Sequence, residues 1–161
     1  MRSRVAASAA WAAIALLACA WLPFPDPAGA APLMDTLLRS STFTASDGAR
    51  LHVLESCPGG AAPDAARPVV AFVPGWSIPA SIWRRQLTAL RSTHCVAALD
   101  PRGQGESEVT AGGYAIERRA DDVREFNGRY PRVVLVGWSL GALEALECVH
   151  RHGVAPYRRP A

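Results

Sequence analysis

Residues Val133 to Ala142 read Val-Val-Leu-Val-Gly-Trp-Ser-Leu-Gly-Ala. Four consecutive aliphatic residues suit a strand buried on both faces, and they run straight into Gly-x-Ser-x-Gly. Gly137 and Gly141 permit a sharp strand-to-helix turn, and the stretch from Leu140 to His152 has few helix breakers. Such a strand calls for a sheet to pair with, and if the strands that would follow it are missing it becomes an apolar edge. Ser139, at the apex of the turn, is the candidate nucleophile.

The rest of the chain supplies such a sheet. Thr42 to Thr44 and Arg50 to Ser56 read as strands around a Ser46-Asp47-Gly48 turn, and Cys57 to Pro68 is a loop rich in Pro, Gly and Ala. Val69 to Val73 reads as a buried strand, followed by a helix over Ser81 to Arg91 with Trp83, Leu87 and Leu90 as its apolar stripe. Cys95 to Leu99 is the next strand. A helix over Ala115 to Phe126 sets Ile116, Ala120 and Val123 on one side and its acids and arginines on the other, with Asp121 and Asp122 solvated. Val133 to Val136 is the last strand. Strands alternating with helices predict an α/β domain with a mostly parallel sheet and crossover helices.

Composition narrows the chemistry. Half of the 161 residues are apolar and 19% are charged, which describes a chain able to bury a core. All 17 basic residues are Arg. The absence of Lys excludes Schiff-base chemistry, a Ser-Lys dyad and a Walker phosphate loop. The net charge is +3, and the arginines are scattered in pairs such as Arg84-Arg85 and Arg118-Arg119 without a basic, aromatic-interleaved face. Nucleic acid is therefore not an expected partner. No cysteine pair has zinc-ligand spacing, and neither a metal nor a cofactor is called for.

Two further segments precede the Ser139 turn: Val69 to Trp76, Val-Val-Ala-Phe-Val-Pro-Gly-Trp, and Asp100 to Ser107, Asp-Pro-Arg-Gly-Gln-Gly-Glu-Ser. In this order they resemble the landmarks of the α/β-hydrolase superfamily, specifically its bacterial serine hydrolase and esterase-like branch. The resemblance covers about residues 42 to 152, the N-terminal half of such a fold. It implies carboxylic ester hydrolysis by acyl transfer through Ser139, with a small-molecule ester as substrate. It also implies an oxyanion hole made by the backbone N–H groups of Trp76 and Leu140, each worth about 3 kcal/mol in the transition state. Pro74 stands where the family usually has His, a tolerable change because the turn contributes a backbone N–H. The Asp100–Ser107 loop takes a scaffolding role, and Trp76, Trp83 and Trp138 offer either apolar acyl contacts or ordinary core.

The family order is Ser, then Asp or Glu, then His. After Ser139 there are only Glu144, Glu147, His150 and His152, all on the helix that Ser139 begins. At 1.5 Å per residue His150 lies roughly 16 Å along that helix, too far for proton transfer. His52 falls on an early strand and His94 just before another, at the end opposite the catalytic edge, and Glu106 and Glu108 fall on an exposed loop. The expectation is thus a hydrolase domain over 31–161 whose C-terminal strands, acid and His are missing, from a truncated or frame-shifted gene. The alternative is a non-catalytic fragment or binding module.

The N-terminus resembles an export signal over 1–30: Arg2 and Arg4, an apolar run from Val5 to Leu22, then prolines and Ala28-Gly29-Ala30. The alternatives are an uncleaved anchor, or a lipoprotein acylated at Cys19. Export would make a membrane a partner only through such an anchor. Cleavage would leave Cys57, Cys95 and Cys148, with room for one internal disulfide at most and with Cys95 and Cys148 expected as buried structural cysteines.

Overall fold

Apolar residues at alternate positions on five strands split the core into two layers. The computed structural model describes residues 38–153, and both the signal-like segment and the tail after Gly153 lie outside them. The strands are β1 (Arg39–Thr44), β2 (Arg50–Ser56), β3 (Val69–Val73), β4 (Val96–Leu99) and β5 (Val133–Gly137). The helices are α1 (Arg84–Leu90), α2 (Ile116–Asn127) and α3 (Leu140–His152), with 3₁₀ turns at Pro58–Gly60 and Ala80–Trp83.

The sheet order is β1-β2-β4-β3-β5. The β1–β2 and β2–β4 pairs are antiparallel, whereas β3 pairs in parallel with β4 on one side and β5 on the other. Only β2 therefore runs against the common direction. On one face Leu51, Val53, Val69, Ala71, Val73, Ala97 and Leu99 pack with Val123 and Phe126 of α2 and Cys148 of α3. On the other face Leu54, Phe72, Val96 and Ala98 pack with Ala80 and Leu87, flanked by Trp83 and Leu90. Trp83 is core, its ring 4.9 Å from that of Phe72.

This layering creates a switch point. The chain leaves β3 towards α1 on one face, and leaves β5 towards α3 on the other, while β3 and β5 lie side by side. A crevice between diverging connections at the carboxyl ends of parallel strands is where open α/β sheets bind ligands. The turn after β3 and the turn at Ser139 meet there.

Three expectations need correction. Cys95 is half-buried, not buried: it forms the one internal disulfide, with Cys57, which pins the Pro/Gly-rich loop to the start of β4, while Cys148 is buried and free. Asp122 is not solvated but buried, its carboxylate bidentate on Arg102 at 2.6 and 2.8 Å and also bonded by Arg118. Arg119 likewise lies on the buried side of α2, so the helix hides charge as well as apolar side chains. The bidentate Arg102–Asp122 pair satisfies its charges with hydrogen bonds and so can be buried where an unpaired charge cannot. Asp47 adds a second carboxylate to Arg102 at 2.8 Å, tying the β1–β2 turn to the same cluster.

The disulfide spans 38 residues of sequence, and closing a loop of that size restricts the unfolded chain by about 4 kcal/mol, an upper figure for the loss in Cys57→Ser. Urea unfolding with and without reductant checks it; an unchanged midpoint would remove the disulfide from the native protein. Glu55 is one of the acid-sensitive groups. Burial raises its pKa, but hydrogen bonds from Tyr130, Ser41 and Arg39 and the charge of Arg129 outweigh that and hold it below its ordinary 4.5. Its stabilisation is present above about pH 4.5 and lost as the pH falls from there through the folded-state value. Glu55→Gln should flatten the acid limb of the stability curve, and an equally steep limb would show that Glu55 is not its source.

Candidate active site

Ser139 sits between β5 and α3 with φ 54° and ψ −122°, a conformation that L side chains rarely adopt. Two glycines make the turn sterically feasible. A Cβ on Gly137 would stand 2.5 Å from the Gly141 carbonyl oxygen, and one on Gly141 would stand 2.4 Å from the carbonyl oxygens of both Val73 and Pro74. The first three residues of α3 are therefore pressed against the end of β3. Trp138 N–H donates to the Val73 carbonyl at 3.1 Å, which locks the turn to β3 as well. The result is an exposed Ser139 beside the turn after β3, with no hydrogen bond from its Oγ to any described residue.

The two N–H groups singled out from the sequence lie on either side of this serine. Leu140 is the first residue of α3, so its N–H has no intrahelical acceptor, and the helix N-terminus carries partial positive charge. Trp76 follows Gly75, and a Cβ on Gly75 would be 3.1 Å from Ser139 Cβ. The Trp76 N–H makes no backbone hydrogen bond to a described residue. Ser139, Trp76, Leu140, Gly137 and Gly141 thus converge on one place. Trp76 and Trp138 are 61% and 49% exposed, which removes them from the core and leaves their rings at the rim.

The Asp100–Ser107 loop braces the site from behind. Asp100 is buried, and its carboxylate accepts from Ala80 N–H, from Glu106 N–H at 2.9 Å and from the His52 ring at 2.8 Å. Ser107 closes the loop by donating its hydroxyl to the Asp100 carbonyl and accepting from His52 N–H. Gly105 is obligatory, since a Cβ there would fall 2.2 Å from the Asp100 carboxyl carbon, at φ 54°. The sequence pattern assigned this loop a scaffolding role; it gave no sign that His52 belongs to it.

His52 needs re-placing. Because β2 is antiparallel, His52 lies beside the carboxyl end of β4, not at the far end of the sheet. It still cannot serve Ser139. Three strand spacings separate β2 from β5, about 14 Å, and both ring nitrogens are engaged, by Asp100 and by Ser40. His94 precedes β4 at the opposite edge, and His152 bonds Asp121 at 2.6 Å in the last turn of α3. No described histidine reaches the serine.

A pair that no sequence pattern flagged lies under the site. Arg119 of α2 and Glu144 of α3 are both buried and joined at 2.5 Å, and the Arg119 guanidinium carbon stands 5.7 Å from the centre of the Trp76 ring. Burial pushes the Glu144 carboxyl above the ordinary carboxylate range, with Arg119 pulling against it. The pair ties α2 to the helix that begins at the candidate nucleophile.

Residues 70–158, more than half of the chain, match the model of the alpha/beta hydrolase family. The chain belongs to the α/β-hydrolase family. An epoxide hydrolase from Vigna radiata is 27% identical, with a TM-score of 0.62 over 73% of this chain and 37% of its own. An alpha/beta hydrolase from Novosphingobium aromaticivorans is 25% identical, with a TM-score of 0.63 over 72% of this chain and 40% of its own. The Cfl2 protein of Burkholderia cenocepacia is 25% identical, with a TM-score of 0.61 over 73% and 39%. The chain thus spans about two fifths of the length of these proteins.

The packing at the turn predicts that Gly141→Ala destabilises by about 3 kcal/mol, since two main-chain carbonyls would have to retreat. Urea unfolding measures it, and a parent-like midpoint would contradict the close approach of α3 to β3.

Proposed function

We propose that this chain carries the nucleophile half of a serine hydrolase acting on carboxylic esters. The observation that carries the reading is an exposed serine in a strained strand-to-helix turn, flanked by two N–H groups without backbone partners among the described residues. On this reading Ser139 Oγ attacks the ester carbonyl, and the Trp76 and Leu140 N–H groups receive the negative charge that develops on its oxygen. The general base and the acid that orients it come from polypeptide outside the described residues.

The similarity to an epoxide hydrolase does not carry its substrate to Ser139. A serine oxygen opening an epoxide would leave an ether on the enzyme, which water does not readily cleave. A carboxylate nucleophile would leave a hydrolysable ester instead. Serine at this position suits acyl transfer, where the acyl-enzyme is itself an ester. A second reading, a non-catalytic module, is favoured by the distance of every described histidine from Ser139.

Export belongs to the same proposal. The Arg2/Arg4 start, the apolar run and Ala28-Gly29-Ala30 support it, and a Cys57–Cys95 disulfide is at home in an oxidising compartment.

A fluorophosphonate probe applied to the purified chain separates the two readings. The two oxyanion donors act on the probe's phosphoryl oxygen even without the base, so slow labelling of the chain alone is expected, and Ser139→Ala should abolish it. A folded, soluble chain that takes up no probe would reject the catalytic reading in favour of the binding module.

A further inference from the structure

Gln104 stands between the two glycines of the Asp100–Ser107 loop, 8% exposed, and its side-chain amide is spent entirely on the turn after β3. Its Oε1 accepts from Ser77 N–H at 2.7 Å, and its Nε2 donates to the Gly75 and Ile78 carbonyls at 3.2 and 3.3 Å. The reversed amide would set oxygen against two carbonyls and N–H₂ against an N–H, so the hydrogen bonds fix its orientation. These contacts enclose Trp76 from both sides.

We propose that Gln104 is the positioning residue of the oxyanion hole, setting the direction of the Trp76 N–H; the proposal rests on the reading of Ser139 as nucleophile. The Gly75 carbonyl and the Trp76 N–H belong to one planar trans peptide and point in opposite directions. Anchoring that carbonyl on Gln104 turns the N–H away from Gln104. The Gly75 carbonyl also accepts from Ile78 N–H at 3.3 Å, and a carbonyl with two donors polarises its peptide and strengthens the N–H on the other side.

The clamp also explains a strained residue. Ser77 has φ 57° with no glycine to ease it, and its N–H is held by the Gln104 oxygen. Gln104 is itself immobilised: its own N–H donates to the Pro101 carbonyl, its carbonyl accepts from Ser107 N–H, and Asp100 binds both Ala80 and Glu106 around it. The direction of one peptide bond beside Ser139 is thereby referred back to the buried end of β4.

Two variants of the full chain test the two ends of the amide. Gln104→Glu keeps an acceptor for Ser77 but loses both donated bonds and sets negative charge against the Gly75 carbonyl. Fluorophosphonate labelling of Ser139 should slow roughly 10- to 100-fold, the size of effect expected when one oxyanion donor is misaligned, with exchange of the Ser77 amide unchanged. Gln104→Leu should slow labelling as much and also release the Ser77 amide to fast hydrogen exchange, while amides of β3 and β5 stay protected as the control for folding.

Labelling at the parent rate in Gln104→Glu would overturn the proposal. So would a protected Ser77 amide in Gln104→Leu. If the parent chain takes up no probe, the nucleophile reading itself fails and the catalytic claim falls with it. Ser77 exchange would then still report separately whether Gln104 grips the turn.

Discussion

Where β4 ends, the Asp100 carboxylate enters the interior and meets three donors from three different parts of the chain. His52 comes from the antiparallel strand β2, Ala80 from the 3₁₀ turn ahead of α1, and Glu106 from the loop that Asp100 itself begins. Each of these donors, left buried without its acceptor, would cost about 1–3 kcal/mol. One side chain therefore couples the edge of the sheet, the segment that crosses one face and the loop that carries Gln104. The site's geometry is downstream of that coupling: Gln104 reaches the turn after β3 only because Gly105 can pass against the Asp100 carboxylate.

Among the described residues, the only non-glycine residues at positive φ are Ser77 and Ser139. They belong to the two turns that meet in the crevice, and each adjoins one of the N–H groups assigned to the oxyanion. Backbone in such regions costs about 1–3 kcal/mol per residue and persists only where its surroundings over-determine it. The surroundings differ in kind. At Ser139 they are steric, Gly137 and Gly141 packed against main chain on every side; at Ser77 they are the hydrogen bonds of a side-chain clamp. A glycine cradle cannot be altered without a clash, whereas a clamp can be weakened one hydrogen bond at a time. The Trp76 side of the site is thus the side where sequence changes can tune geometry.

Much of the fold was legible because short apolar runs with flanking glycines and prolines have few alternative uses. Val69–Val73 and Val133–Val136 both read as strands and both are strands, although only the first is buried here, and the Gly137 to Gly141 spacing announces its own turn. What escaped were features that depend on partners distant in sequence. Asp122 and Arg119 look like ordinary members of a solvated helix face, and only Arg102 and Glu144, 20 and 25 residues away, convert them into buried pairs. Cys57 and Cys95 give no sign of pairing until β4 and the preceding loop are brought together. His52 was misplaced for a simpler reason: alternation identifies a strand without giving its direction, and β2 runs against the rest.

The strand that ends in Ser139 is also the least enclosed part of the sheet. Among the described residues β5 pairs only with β3, Val134 is half exposed, and α3 turns Leu143 and Leu146 to solvent while burying Gly141, Glu144 and Cys148 on its other side. A parallel edge of Val-Val-Leu-Val carries none of the charges or prolines that discourage further pairing. The serine's turn is held from the β3 side, through Gly137, Gly141 and the Trp138–Val73 hydrogen bond, and from the α2 side through Arg119 and Glu144. Whatever polypeptide pairs with β5 would therefore stabilise the same turn that presents Ser139.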